Sequence, residues 1–198
     1  MFEKRSQKGK TYAEQSEELH DFLGTIVPQE LLGRFDTEAN LTGQIDYASK
    51  ALKAEDTAPG FDLPNAVGKQ ISLMELLKEG PVIVSFYRGE WCPYCNLQLH
   101  AYNRILPQIK SLGANLVAIS PQTPDHSLSM KEKNELEFEV LSDQNNQVAK
   151  QYGLTFKINE EMRPFHQQAG SDLSQFNGED SWELPVPGTF IIASNGII

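Results

Sequence analysis

Residues 82–95 read VIVSFYRGEWCPYC, and this stretch decides the fold. The first six residues, VIVSFY, are β-branched or aromatic in all but one position, the pattern of a strand buried on both faces. Pro93 suits the first position of a helix, where its missing N–H would have had no partner. A buried strand therefore hands over to a helix across residues 88–92, and two thiols, Cys92 and Cys95, sit at the junction.

The chain around this junction alternates in the same way. Ser72 and Glu75 have capping-box spacing ahead of Leu76 and Leu77, with Gly80 placed to end that short helix. Beyond Cys95 the helix continues with Leu97, Ala101, Ile105 and Ile109 on one face, and Pro107 is expected to kink or break it. Strands are predicted at 116–120 (LVAIS), 138–141 (FEVL) and 189–193 (TFIIA), with helices near 128–136 and around Val148, Ala149 and Tyr152, the last closed by Gly153. Strands alternating with helices predict an α/β fold with a partly parallel, mixed sheet. Residues 156–187 are weakly patterned and read as an inserted loop.

Residues 1–57 form a separate, helical N-terminal extension, and 58–198 the main domain. In the extension Leu41, Ile45, Ala48 and Leu52 recur at helical spacing, Leu19, Phe22, Leu23 and Ile26 form a shorter pattern, and Pro28 could open a helix. The extension packs on the main domain or serves as an oligomerisation element, which leaves a homodimer open. The Asn195-Gly196 pair is a hairpin signal with only two residues after it, so the C-terminal edge is expected to be truncated or incomplete.

Composition narrows the function. With 17 Lys and Arg against 27 Asp and Glu, the net charge is −10, which opposes binding to nucleic acid or to an anionic membrane. Lys4, Arg5, Lys8 and Lys10 read as a solvated, frayed end. No apolar run approaches the roughly 20 residues that span a bilayer, and the charged start is unlike a secretory signal, so a cytoplasmic protein is expected.

The two cysteines are the whole thiol inventory. A disulfide between them closes four residues and would stabilise by only roughly 2 kcal/mol on chain entropy. Zinc needs four ligands, which His100, His126 or His166 could complete only by convergence in the fold. Covalent haem would need histidine where Asn96 stands, and a cubane cluster needs four thiolates. No metal and no organic cofactor is expected.

A thiolate at a helix start faces unpaired N–H groups and the positive end of the helix dipole. Lowering a thiol pKa by two units takes about 2.7 kcal/mol, and the dipole gives about 2 at best. Hydrogen bonds or a cation must add the rest, and Arg88 is the nearest cation in sequence.

FYRGEWCPYC resembles the segment of peroxiredoxins in which a proline, a threonine and the peroxide-reactive cysteine follow a buried strand. The resemblance extends through APGFDLPNAVGKQISLMELL (58–77), LVAISPQ (116–122), FEVLSDQNNQVAKQYG (138–153) and PVPGTFII (185–192). It points to the peroxiredoxin-like branch of the alkyl hydroperoxide reductase/thiol-specific antioxidant family, with a thioredoxin-like three-layer fold. Carried across, Cys95 falls on the peroxidatic cysteine, Cys92 on the threonine, Arg88 on the proline, and Gln98 on a position often Glu or Gln. The arginine that the family places before a late strand is replaced by Pro187-Gly188. The four residues 92–95 also resemble glutaredoxins and Trp91 resembles thioredoxins, in which Cys92 would be the nucleophile and Pro187, with Pro185 as its rival, the cis-proline facing the thiols.

The resemblance implies a thiol-dependent peroxidase. Cys95 attacks hydrogen peroxide or an organic hydroperoxide, Cys92 resolves the sulfenic acid, and a thioredoxin- or glutaredoxin-like dithiol recycles the pair. The alternatives are a thiol–disulfide oxidoreductase acting on protein disulfides through Cys92, and a non-catalytic redox sensor. Trp91 could shield the pair, and Trp182 could pin the inserted loop.

Overall fold

The computed structural model describes residues 9–198. The basic start at Lys4, Arg5 and Lys8 lies outside the described residues, while Lys10 pairs with Glu18. A four-stranded mixed sheet runs in the order β5 (Glu139–Ser142), β4 (Asn115–Ser120), β3 (Val82–Phe86), β8 (Gly188–Ile192). β3 is parallel to β4 and β4 to β5, while β8 lies antiparallel on the other side of β3.

The sheet is covered on both faces, which explains its continuous apolar strands. Successive side chains of a strand point to opposite faces. Val82, Val84, Phe86, Val117 and Ile119 accordingly pack on one side against α3 (Leu73–Glu79), α6 (Gln147–Gln151) and the hairpin β1 (Asp62–Pro64)–β2 (Gln70–Ser72). On the other, Leu116, Ala118 and Val140 pack against α4 (Pro93–Ser111) and α5 (Pro124–Lys133). These are the three layers of a thioredoxin-like fold. Each fully buried aliphatic here contributes about 1.5–3 kcal/mol.

Several local expectations need correction. Ser72 precedes α3 without a side-chain cap bond. α4 is continuous through Pro107, whose ring lies on the exposed side while buried Leu106 and Ile109 hold the helix to the core. The buried face of α4 runs through Cys95, Leu99, Leu106 and Ile109, and Ile105 is solvent-exposed. Residues 156–187 are ordered: β6 (Thr155–Lys157) pairs antiparallel with β7 (Glu183–Pro185), enclosing α7 (Arg163–Gln168) and α8 (Leu173–Asn177). Ile158, Met162, Leu173, Trp182 and Leu184 give this insertion its own small core.

Gly153 ends α6 at φ 71°, where an added Cβ would stand 2.1 Å from the Lys50 carbonyl oxygen. The chain end turns at Asn195-Gly196, and Ile197 and Ile198 pair with residues 55–57 rather than forming a bare edge.

The N-terminal residues form two helices, α1 (Tyr12–Ile26) and α2 (Gln29–Gly43), with Pro28 as the residue before α2. Thr11 and Glu14 make a reciprocal capping box at the start of α1. The expected stripe through Leu41, Ile45 and Leu52 is not a helix face: α2 stops at Gly43, Leu41 and Ile45 are exposed, and Leu52 packs on the sheet core. Of the shorter pattern Leu19 is buried, as expected, while Ile26 is exposed; Leu31 is the buried apolar position of α2.

Candidate active site

β3 delivers the chain to the site. The Tyr87 N–H still bonds the Ile119 carbonyl at 3.0 Å, extending the sheet one residue past the strand. The turn at 88–91 then folds tightly, because an added Cβ on Gly89 would lie 2.4 Å from the Trp91 indole nitrogen. Glu90 pins this turn to the neighbouring elements. Its N–H donates to Gln122 Oε1 at 2.8 Å, and its carboxylate accepts from Lys133 Nζ at 2.8 Å and meets His126 Nδ1 at 2.7 Å. Burial raises the Glu90 carboxyl, but the Lys133 and His126 bonds outweigh it and hold the group below its ordinary value.

Cys92 is the N-cap of α4. Its sulfur accepts the Cys95 backbone N–H at 3.4 Å, satisfying one of the four unpaired donors of the helix start. Arg88 curls back over the turn and donates from Nη2 to the same sulfur at 3.1 Å. Asn96 braces the arrangement, its amide donating to the carbonyls of Glu90 and Cys92 at 2.8 and 3.1 Å.

The two thiols are set apart by this geometry. Both are free and buried, 1% and 3% exposed for Cys92 and Cys95. Burial raises the Cys92 thiol, but the Cys95 S–H, the Arg88 charge and the two N–H donors outweigh it and bring it down to about 6. Cys95 is pushed well above its ordinary value, first by burial and then by the anionic Cys92 sulfur to which it donates. The Arg88 bond and the helix-start N–H thus both reach Cys92, whereas the family alignment places the peroxidatic role on Cys95. Cys92 caps α4 and takes the Arg88 bond, and both sulfurs belong to the same buried cluster as Leu99 and Met130.

The remaining expected residues divide. Trp91 sits beside the pair, with the Arg88 guanidinium 5.8 Å from its ring, and meets the buried His166 edge-on at 5.8 Å. Pro187 lines the same cavity as Cys92, but every peptide bond among the described residues is trans, so it is not the expected cis-proline; it leads directly into β8. Gln98 turns away, donating to Tyr102 Oη at 2.9 Å, which in turn reaches Thr189 of β8. His100 is half-buried. Trp182 does pin the insertion: it is buried, its Nε1 donates to Asp180 at 2.7 Å, and the Arg163 guanidinium stands 5.3 Å from its ring.

Sequence reasoning missed two contacts at the site. His20 Nδ1 on α1 hydrogen-bonds the hydroxyl of Tyr94, between the two cysteines, at 3.1 Å. Glu38 on α2 bonds His166 Nε2 at 3.1 Å, while His166 Nδ1 meets Ser171 Oγ at 3.0 Å. Partners 74 and 128 residues apart carry no local pattern. Among the described residues no cluster of three or more His, Cys, Asp or Glu could hold a metal, and no helix is long and apolar enough to cross a membrane.

Comparison with known proteins agrees with the fold. The AhpC/TSA family matches residues 54–198. Peroxiredoxin Bcp of Escherichia coli (strain K12) is 34% identical over 103 residues, 52% of this chain and 65% of that protein. The chloroplastic peroxiredoxin Q of Populus jackii is 34% identical over 96 residues, 48% of this chain and 45% of the other. The chain thus spans less than two thirds of the length of these curated relatives. Among solved structures, peroxidoxin BcpB of Mycobacterium tuberculosis superposes with a TM-score of 0.60 at 23% identity, covering 74% of this chain and 82% of the other. A peroxiredoxin Q of Xanthomonas campestris gives 0.55 at 17% identity, covering 70% and 76%.

Proposed function

Because the chain belongs to the AhpC/TSA family, we propose that it is a thiol-dependent peroxidase whose attacking group is the Cys92 thiolate and whose resolving group is the Cys95 thiol. The observation that carries this reading is the bond from Arg88 Nη2 to the Cys92 sulfur at 3.1 Å. A buried guanidinium beside the sulfur holds the anion that attacks, and it stands ready for the negative charge that grows on the peroxide oxygens. It fills the part of the arginine missing at Pro187-Gly188.

The chemistry balances with these groups. The Cys92 thiolate attacks one oxygen of ROOH and the O–O bond breaks. The departing alkoxide takes a proton and leaves as ROH, with Cys92 as sulfenic acid. The Cys95 sulfur then attacks the Cys92 sulfur, and water leaves with the sulfenic oxygen and the Cys95 proton. An external dithiol of the thioredoxin or glutaredoxin kind reduces the disulfide by exchange and is itself oxidised. That cycle fits a reducing, cytoplasmic setting, and the charge of −10 argues against nucleic acid and anionic membranes as partners.

The test is the rate at which pre-reduced protein loses thiols to peroxide, compared with Cys92→Ser and Cys95→Ser. Cys92→Ser should lose the fast phase. Cys95→Ser should keep one turnover and stop at a sulfenic acid that dimedone labels. If Cys95→Ser alone abolishes the fast phase, the roles are reversed. If no form outpaces a free thiol, the peroxidase reading fails. Exchange with protein disulfides through Cys92 would then be the reading to test, although a sulfur that is 1% exposed is poorly placed for it.

A further inference from the structure

Helices α1 and α2 lie outside the segment that matches the family, yet they build one wall of the thiol site. α1 is docked by buried Leu19 and Gln15, the latter 3.5 Å from Arg104 on α4, and by the His20–Tyr94 bond. α2 is docked by Glu38 on His166, by Phe35 edge-on against the same ring at 5.0 Å, and by Arg34, 4.9 Å from the Phe165 ring.

Between this helical pair and the main domain lies a cavity of about 850 Å³. Leu23, Leu31 and Phe35 line it from the helices, and Trp91, Phe156 and Pro187 from the opposite side, with Cys92 and Arg88 also in its wall. Hydrogen peroxide needs little more than a water molecule's share of volume, about 30 Å³, so it would leave almost all of this space unfilled. Cavities of about 300–1,000 Å³ with apolar walls and a few polar groups fit organic ligands.

The charges in the wall narrow the class further. Arg88 is engaged with the Cys92 sulfur and Glu38 with His166. Asp36 is exposed in the same wall, and its charge is felt at the Tyr94 hydroxyl. Among the described residues Arg88 is the one Lys or Arg in the lining, its Nη2 is committed to the Cys92 sulfur, and Asp36 repels an anionic tail.

We propose that α1 and α2 form a substrate-selecting wall that admits bulky, uncharged, apolar hydroperoxides in preference to both hydrogen peroxide and anionic hydroperoxides. This rests on the peroxidase reading above and keeps its chemistry, ROOH leaving as ROH. Ala39 and Asp36 are the positions at which selection can be altered.

The experiment measures second-order thiol loss in the full, pre-reduced chain. Its probes are cumene hydroperoxide, hydrogen peroxide, and linoleic acid hydroperoxide as free acid and as methyl ester. Wild type should prefer cumene hydroperoxide to hydrogen peroxide by about tenfold or more, the scale on which an apolar pocket discriminates, and the ester to the acid. Ala39→Trp, at an exposed position of α2 that tolerates a larger side chain, should reduce the first ratio by about tenfold. Asp36→Asn should narrow the second. A fast wild type that ranks hydrogen peroxide first overturns this inference alone, as does a folded Ala39→Trp with an unchanged first ratio. An ester-to-acid ratio that Asp36→Asn leaves untouched overturns the charge selection. A wild type no faster than a free thiol with any peroxide overturns the peroxidase reading and this inference with it.

Discussion

Arg88 and Cys92 lie four residues apart in sequence, and the turn between them brings the guanidinium Nη2 within 3.1 Å of the sulfur. The pairing works in both directions. The thiolate strengthens the hold of Arg88 on its proton, so the guanidinium stays charged despite burial, and the guanidinium keeps the sulfur ionised.

Arg88→Met removes that partner while preserving much of its volume. A hydrogen bond to a charged group is worth about 1.5–3 kcal/mol, so the Cys92 thiol should rise by about one to two pKa units. Ultraviolet absorbance of the thiolate, followed across pH, reads the shift directly. An unchanged midpoint would mean that Arg88 has no hold on the sulfur.

Thiol loss to peroxide should follow the ionisation of Cys92. With its pKa lowered to about 6, the rate should fall as pH drops through that value and be nearly level from neutral pH upward. An ordinary thiol would keep gaining rate up to its own pKa of about 8.5. A pH–rate profile distinguishes the two.

Glu38→Ala should loosen α2 from the insertion. It leaves His166 buried with one ring nitrogen unpartnered, at a cost of about 1–3 kcal/mol. Faster amide hydrogen exchange within residues 29–43, with the central sheet unchanged, is the expected signature. Uniform protection would show that the bond does not hold the helix.

Gly153→Ala should destabilise the chain by more than about 1 kcal/mol, because φ is 71° and the added Cβ would strike the Lys50 carbonyl. The midpoint of urea unfolding should fall, while the slope stays as in wild type.

The central strands were readable because their determinants are local. VIVSFY, LVAIS and TFIIA carry their apolar pattern in five or six consecutive residues, and Pro93 marks the helix start by its own chemistry. What escaped depends on distant partners. Leu41 and Ile45 repeat at helical spacing but meet no apolar surface, so the helix ends at Gly43 and both stay in solvent. Residues 156–187 look patternless because their core is assembled from single residues of several short elements, Ile158, Met162, Leu173 and Trp182 among them. The thiol pair itself was plain in the sequence. The surroundings of each sulfur were not, because they follow from where Arg88 and the first N–H groups of α4 point.

The near-complete burial of Cys92 treats its two reaction partners unequally. A hydroperoxide can reach the sulfur as a small molecule by way of the cavity. A dithiol carried on a folded protein cannot, since its own sulfur must come within bonding distance in line with the disulfide. On the proposed peroxidase cycle, attack on peroxide proceeds with α1 and α2 in place, whereas reduction by a protein dithiol requires them to give way. On that reading the docking contacts of Tyr94 and His166 set how readily the oxidised pair meets its reductant.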